Sequence, residues 1–380
     1  MDAINTLVGF GDTAISYLLP FLFVLTVVVF FHELGHFLVA RWCNVTVRVF
    51  SIGFGPEIFG FYDKKGTRWR FSWIPLGGYV KFLGDENAAS VPDQDAMHEL
   101  SEQERKGAFH LKPLAQRAAV VAAGPIANFL LAIIIFAFMF TFVGQRQTLP
   151  IVDAVQPESA AAEAGFKAGD RVVSIDGEPI ETFGEMQRIV SVSADKKLTV
   201  VVKRDGADVT LNPTPRTDVT SSAFGTVRRG LLGIRRSASQ DDWVLKKYDP
   251  LTSVWLGTKE TYFVIDRTLD FLYKFVTGRE NADQLGGPIR IAQVSGQVAA
   301  AGFFALLNLT AILSVSIGLI NLFPIPMLDG GHLLFYSIEA VRGRPLSETS
   351  QEIGFRIGLA LVLMLMIFAT WNDLIHLTSL

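Results

Sequence analysis

Residues 18–40 read LLPFLFVLTVVVFFHELGHFLVA, an apolar run whose only ionisable groups are His32, Glu33 and His36. About 20 apolar residues in a helix cross a bilayer core, so this stretch is long enough to span one. Ionisable side chains at such a depth are expensive unless paired, which marks the trio as a candidate functional site. On a helix, residues four apart lie one turn above each other on the same face. His32 and His36 therefore project together, with Glu33 beside them. That spacing suits two imidazole ligands on one Zn²⁺ and a carboxylate acting as general base.

Three further segments are comparably apolar: 118–142 (AAVVAAGPIANFLLAIIIFAFMFTF), 299–323 (AAAGFFALLNLTAILSVSIGLINLF) and 357–377. None of the four holds a Lys or Arg. Half of the 380 residues are hydrophobic and only 19% are charged, below the roughly 25% of a soluble domain. Disorder is excluded and a purely soluble globule disfavoured. With 34 basic against 37 acidic residues there is no positive field for nucleic acid, and none is expected as a partner. The single cysteine, Cys43, excludes internal disulfides and Cys-rich zinc sites, so any metal must be held by His and carboxylates. Residues 1–17 lack the basic region of a signal peptide, carrying Asp2 and Asp12 instead.

Orientation follows from Lys and Arg near the spans. Neither terminal flank has any, whereas 41–117 holds eleven and 341–356 holds Arg342, Arg344 and Arg356. These two connections are expected in the cytoplasm and the termini outside. The long 143–298 region is then also outside, since long translocated domains largely escape the rule.

Residues 146–236 read as a small α/β module. KLTVVVKR and ADVTLNP flank Asp205-Gly206, a type I′ hairpin signal. From Leu251 to Val276 apolar residues recur with helical spacing, expected either as an interfacial helix or as one packed on the outer module. Between the first two spans, 66–84 (GTRWRFSWIPLGGYVKFLG) alternates like a hairpin with Pro75–Gly78 as its turn. It is too short and polar to span, and could dip into the membrane only where protein or water surrounds it. If an edge of this hairpin paired with an extended substrate, Arg70 or Ser72 would lie on it, depending on parity.

Two histidines leave a catalytic zinc one protein ligand short. The third span ends in NLFPIPMLDGGH (Asn321–His332), where two prolines break the helix and Gly330-Gly331 allow a tight turn. Asp329 and His332 are the candidates, and charge favours Asp329 because an anion offsets Zn²⁺. Asn321 is placed to hydrogen-bond a substrate backbone. In the second span, Asn128 of GPIAN either satisfies a carbonyl freed by Pro125 or supports the active site.

HELGH, GPIAN and NLFPIPMLDGGH in this order resemble the site-2 protease family of intramembrane zinc metalloproteases, closest to the bacterial regulator of sigma-E protease group. Between the second and third, SAAAEAGFKAGDRVVSIDGEPI and the later GLLGI (230–234) resemble a permuted PDZ domain. The resemblance implies His32, His36 and Asp329 as ligands, Glu33 as acid/base, a re-entrant hairpin at 66–84 and an inner-membrane location. It also implies single-span membrane proteins as substrates, such as a pre-trimmed anti-sigma factor or remnant signal peptides. Close relatives often carry two PDZ modules, whereas this sequence shows one such stretch.

The expected fold is thus a polytopic α-helical membrane protein of four transmembrane helices, with a periplasmic PDZ-like domain and a membrane-associated β-hairpin. Its parts are a first span within 1–45, a cytoplasmic segment 46–115, a second span 116–142 and the module 146–236. An interfacial segment 237–298, a third span 299–323, the LDG connection 324–356 and a fourth span 357–378 complete it. The competing functions are a catalytically silent PDZ adaptor and a zinc hydrolase of lipids or small molecules.

Overall fold

The computed structural model describes residues 2–85, 100–222, 225–236, 244–279 and 286–378. The chain divides into two compact units: Met1–Phe138 with Leu251–Thr277 and Gly286–Leu380, and Met139–Pro250 with Gly278–Leu285.

Among the described residues, four helices are long and apolar enough to cross a membrane: Ile15–Trp42, Leu114–Val143, Phe303–Asn321 and Thr349–Ile375. They belong to α1 (Asp2–Trp42), α2 (Leu114–Phe138, extended by a π turn), α5 (Phe303–Asn321) and α7 (Glu348–Thr378). The third span starts later than the expected 299. Residues 288–300 form a separate helix, α4 (Pro288–Ala300), and the chain breaks at Ala301-Gly302, where Gly302 has φ 114°. Hydropathy alone does not register such a break.

Small residues set the helix spacing. A Cβ on Gly35 would lie 2.3 Å from the Ala123 carbonyl oxygen, so α1 and α2 touch backbone to backbone. A Cβ on Gly318 would meet Asn128 Cβ at 3.0 Å and Pro125 O at 3.1 Å, which brings α5 equally close to α2. Helix α3 (Pro250–Val276) buries Ser253 and Thr261 and crosses α2 at Gly257, whose Cβ would be 2.8 Å from Ile133 O. Its apolar stripe (Leu251, Trp255, Tyr262, Leu269) is exposed, which fits an interfacial helix. Helix α7 is tied down near both ends. Gly358 abuts Pro326, and buried Asp373 accepts the backbone N–H groups of Gly287, Ile289 and Arg290. The carboxylate thereby satisfies donors that the first turn of α4 leaves open.

The β-structure between α1 and α2 corrects the expected 66–84 hairpin. Its strands are β1 (Val47–Tyr62) and β2 (Arg68–Phe82), and its turn is Asp63–Gly66. There the Asp63 carboxylate accepts N–H bonds from Lys65 and Thr67, a local bond that competes with extended structure. Both strands bend, β1 near 53–56 and β2 near 74–78. The result is four aligned segments in the order 78–82, 47–52, 68–71, 57–62. Pro75–Gly78 is therefore a bend within one strand. Segments 68–71 and 78–82 flank 47–52 on opposite sides and do not pair with each other. Arg70 faces Ser51 on one side and Gly60 on the other. The edge expected at 70 and 72 is corrected at 70, an interior position paired on both sides, while Ser72 pairs with Glu57 and 78–82 is an edge.

The second unit has an antiparallel sheet of β3 (Arg171–Ile175), β4 (Glu178–Pro179), β5 (Val200–Arg204) and β6 (Ala207–Leu211), ordered β4-β3-β5-β6. Asp205 and Gly206 both have positive φ (50° and 86°), the I′ turn expected from Asp-Gly. Val152, Val172, Leu198 and Val202 fill the core with the helix Phe183–Val192 packed on it. Within 230–234, Leu232 is buried, and the carbonyls of Leu232 and Gly233 accept N–H bonds from Ala161 and Gln156.

Candidate metal centre

His32 and His36 sit one turn apart on the last turns of α1, against Gly124 of α2. A Cβ at 124 would lie 2.2 Å from His36 Nε2 and 2.9 Å from His32 Cε1. This glycine reserves the volume that the imidazoles occupy. His36 Nδ1–H donates to the Val120 carbonyl at 2.9 Å. His32 Nδ1 is 3.2 Å from the side-chain amide of fully buried Asn128, whose Oδ1 has no partner among the described residues. Turned half a revolution, that amide lets Oδ1 accept Nδ1–H from His32. Both rings are then held at Nδ1 with an Nε2 lone pair free, the tautomer a metal requires.

The two Nε2 atoms are 3.2 Å apart. Asp329 Oδ2 lies 3.1 Å from His32 Nε2, and Oδ1 lies 3.6 Å from His36 Nε2. A tetrahedral ion with bonds near 2.0–2.2 Å separates its ligand atoms by roughly 3.3–3.6 Å. The Nε2 pair and the nearest carboxylate contact of each histidine, made by different oxygens of Asp329, come within a few tenths of an ångström of this range. With one atom from each residue, the trio lies within 4.8 Å. Asp329 Oδ2 is buried and, despite its proximity to His32, has no hydrogen bond of acceptable geometry among the described residues. A buried anion in that state calls for a cation. These residues fit Zn²⁺.

Asp329 opens α6 (Asp329–Arg342) after the break at Pro324–Leu328. The expected tight turn at Gly330-Gly331 is corrected: both lie in the first turn of the helix and are buried. Their Cβ atoms would come within 2.2 Å of Phe323 O and 2.4 Å of Ile325 O. The strained residue is Met327, at φ 84°, a conformation a side chain occupies only when its surroundings impose it. His332 lies near the trio but outside it, its ring 5.3 Å from that of Phe355. Burial holds its imidazole below the ordinary range, hence neutral at pH 7.

A cleft of about 190 Å³ is lined by His32, Glu33, His36, Asp329, Asn321, His332 and the edge segment of β2. The Val80 N–H is hydrogen-bonded to the Glu33 carboxylate, and Gly78 packs close to Glu33 Cγ. Arg70 and Ser72 are outside this lining. Arg70 donates to Ser51 Oγ and bonds the Tyr79 hydroxyl, and Ser72 is buried against Ser51. Arg70 thus reaches the cleft only through Tyr79. Gly124, Tyr79 and the edge at 78–82 were not assigned site roles from the sequence. GPIAN and the Gly78-Tyr-Val-Lys81 stretch of the 66–84 segment contain them, but which neighbour each meets is a tertiary fact.

A trio that could hold a metal ion, part-buried among membrane-length helices with a carboxylate beside it, is the arrangement of a membrane metallohydrolase. The chain matches the model of Peptidase family M50 over residues 20–365. It belongs to that family and is a zinc metallopeptidase. Proteins titled "Putative zinc metalloprotease" from Agrobacterium fabrum (50% identity; 97% of this chain, 98% of theirs) and Rhizobium meliloti (49%; 95% and 97%) are similar to it. So is "Metalloprotease MmpA" from Caulobacter vibrioides, 42% identical over 94% of this chain and 95% of its own.

Proposed function

We propose that this chain is an intramembrane endopeptidase of the regulator-of-sigma-E-protease type, cutting the transmembrane segment of single-span membrane proteins. The observation that carries the reading is the convergence of His32, His36 and Asp329 within a 4.8 Å cluster beside an open strand edge. His32, His36 and Asp329 hold the metal, and Glu33 is the acid/base. The metal held there would supply Lewis acidity toward the scissile carbonyl and a more acidic water. Glu33 accepts the water's proton and passes it to the leaving nitrogen. Asn321 orients the substrate backbone. A helical substrate hides its peptide bonds. On segment 78–82, Glu33 holds the Val80 N–H and Asp85 holds the Phe82 N–H. The Gly78 groups and the Val80 carbonyl are left to pair with an unwound stretch at membrane depth. Arg70 and Ser72 serve this edge indirectly, by fixing Tyr79 and Ser51.

The module 146–236 is read as a PDZ-like filter on the periplasmic side, with the metal nearer the cytoplasmic side, as the Lys/Arg distribution supports. The anti-sigma-factor and remnant-signal-peptide classes follow from the resemblance. An intact trio argues against a silent adaptor, which need not keep one.

Cleavage of a single-span reporter in cells, alongside zinc content of the purified protein, tests the roles. Glu33→Gln keeps zinc and loses cleavage; His32→Ala and His36→Ala lose both. Asp329→Asn with full zinc and activity would remove Asp329 from the ligand set. Deleting 146–236 lets untrimmed reporter be cut. If it stays intact while trimmed reporter is cut, the filter lies elsewhere.

A further inference from the structure

The edge of β2 stops abruptly beside the cleft. Along 78–82 backbone donors alternate in direction. The Leu83 N–H turns inward to the Thr46 carbonyl, whereas those of Val80 and Phe82 point to the open side. Val80 meets Glu33. Phe82 does not stay open: Asp85 folds back across a turn closed by its own N–H to the Phe82 carbonyl (3.3 Å). Its Oδ2 then accepts the Phe82 N–H at 2.8 Å.

Asp85 is a fully buried carboxylate, and its Oδ1 is 2.8 Å from His110 Nε2. His110 belongs to the short 3₁₀ turn Phe109–Leu111, whose Phe109 N–H binds the Leu83 carbonyl and whose Phe109 ring packs on Phe82. A side chain thus does what the next strand residue of a partner would do.

We propose that Asp85, positioned by His110, is a register stop: it closes the free edge after Val80 and so fixes which substrate residues can pair beside Glu33. This rests on the strand-addition reading given above. A strand slips in steps of two residues, since a one-residue slip turns its side chains to the other face. Withdrawing the Phe82 N–H from use removes the next position to which a substrate could slide. The stop sets the place of the cut, distinct from its rate.

The test maps register directly in full-length protein carrying Glu33→Gln, so that substrate stays uncut. In a Cys43→Ser background, Lys81→Cys is cross-linked to a series of single cysteines walked along the substrate segment. The expected pattern is one dominant substrate position. Asp85→Ala should add a second, two residues away, its share rising roughly fivefold or more with the loss of one hydrogen bond. Asp85→Asn keeps an acceptor oxygen for Phe82 and should keep the single register, and His110→Ala should fall between. In the Glu33-intact background, mass spectrometry of products should give a matching second cut for Asp85→Ala.

Zinc content guards against misfolding; if Asp85→Ala loses zinc, His110→Ala and Asp85→Asn carry the comparison. A single unchanged register and cut in zinc-loaded Asp85→Ala, whatever its rate, overturns the stop. So does an unchanged register in His110→Ala where that variant carries the comparison. Cross-linking at no substrate position overturns strand addition itself.

Discussion

At the scale of residues, space is as specific as charge. Gly124 reserves the volume beside His36 Nε2, so Gly124→Ala forces the imidazole aside. We expect zinc per chain to fall and reporter cleavage to drop by about 10²-fold or more. Metal analysis of the purified variant, with exposed Ile126→Ala as control, checks this. Asn128 holds His32 from behind, and Asn128→Leu should weaken zinc affinity by roughly 10–100-fold while the helices still assemble; a chelator titration followed by metal analysis reads it. That His32 and His36 share a face was legible in the sequence from their i,i+4 spacing, and charge singled out Asp329, which the fold places beside them. Gly124 was not, because a glycine in a helix does not announce which neighbour needs its missing Cβ.

At the scale of elements, the bent strands were the least legible part. Pro75–Gly78 has the composition of a turn, and Asp63–Gly66 has it as well. Only pairing decides between them, and each strand here pairs twice. The close approach of β2 to α1 hangs on Gly78, whose Cβ would meet Ser51 O at 2.7 Å and Glu33 Cγ at 3.3 Å. Gly78→Ala should therefore cut cleavage by about tenfold or more with zinc retained, the opposite metal signature to Gly124→Ala. In the second unit, burial alone would raise the Asp170 carboxyl. Two hydrogen bonds from Arg204, at 2.7 Å each, and the Lys167 N–H outweigh it and hold the group below the usual carboxylate range. A depressed folded pKa gives stability that is present above the unfolded value near 4 and lost as pH falls through the folded one. Hydrogen exchange of β3 and β5 should therefore quicken in acid below about pH 4. In Asp170→Asn that acid-dependent step should be smaller.

At the scale of the whole molecule, four membrane-length helices were legible from apolar runs free of Lys and Arg, because bilayer thickness is a coarse and stringent ruler. What the runs could not give was the break at Ala301-Gly302 or the way α4 and α7 are joined through Asp373. The clustered side chains of His32, His36 and Asp329 also come from far-separated parts of the chain, two before the second unit and one after it. Glycine-mediated contacts of α1 and α5 with α2 help to bring them together, independently of the chain that joins those parts. The protein should therefore be divisible. Residues 1–236 and 244–380, made as separate polypeptides in one membrane, should find each other through these surfaces and copurify with zinc, whereas neither piece alone should retain it. Complementation would make the centre a property of helix association, and two inert halves would become one enzyme only on meeting.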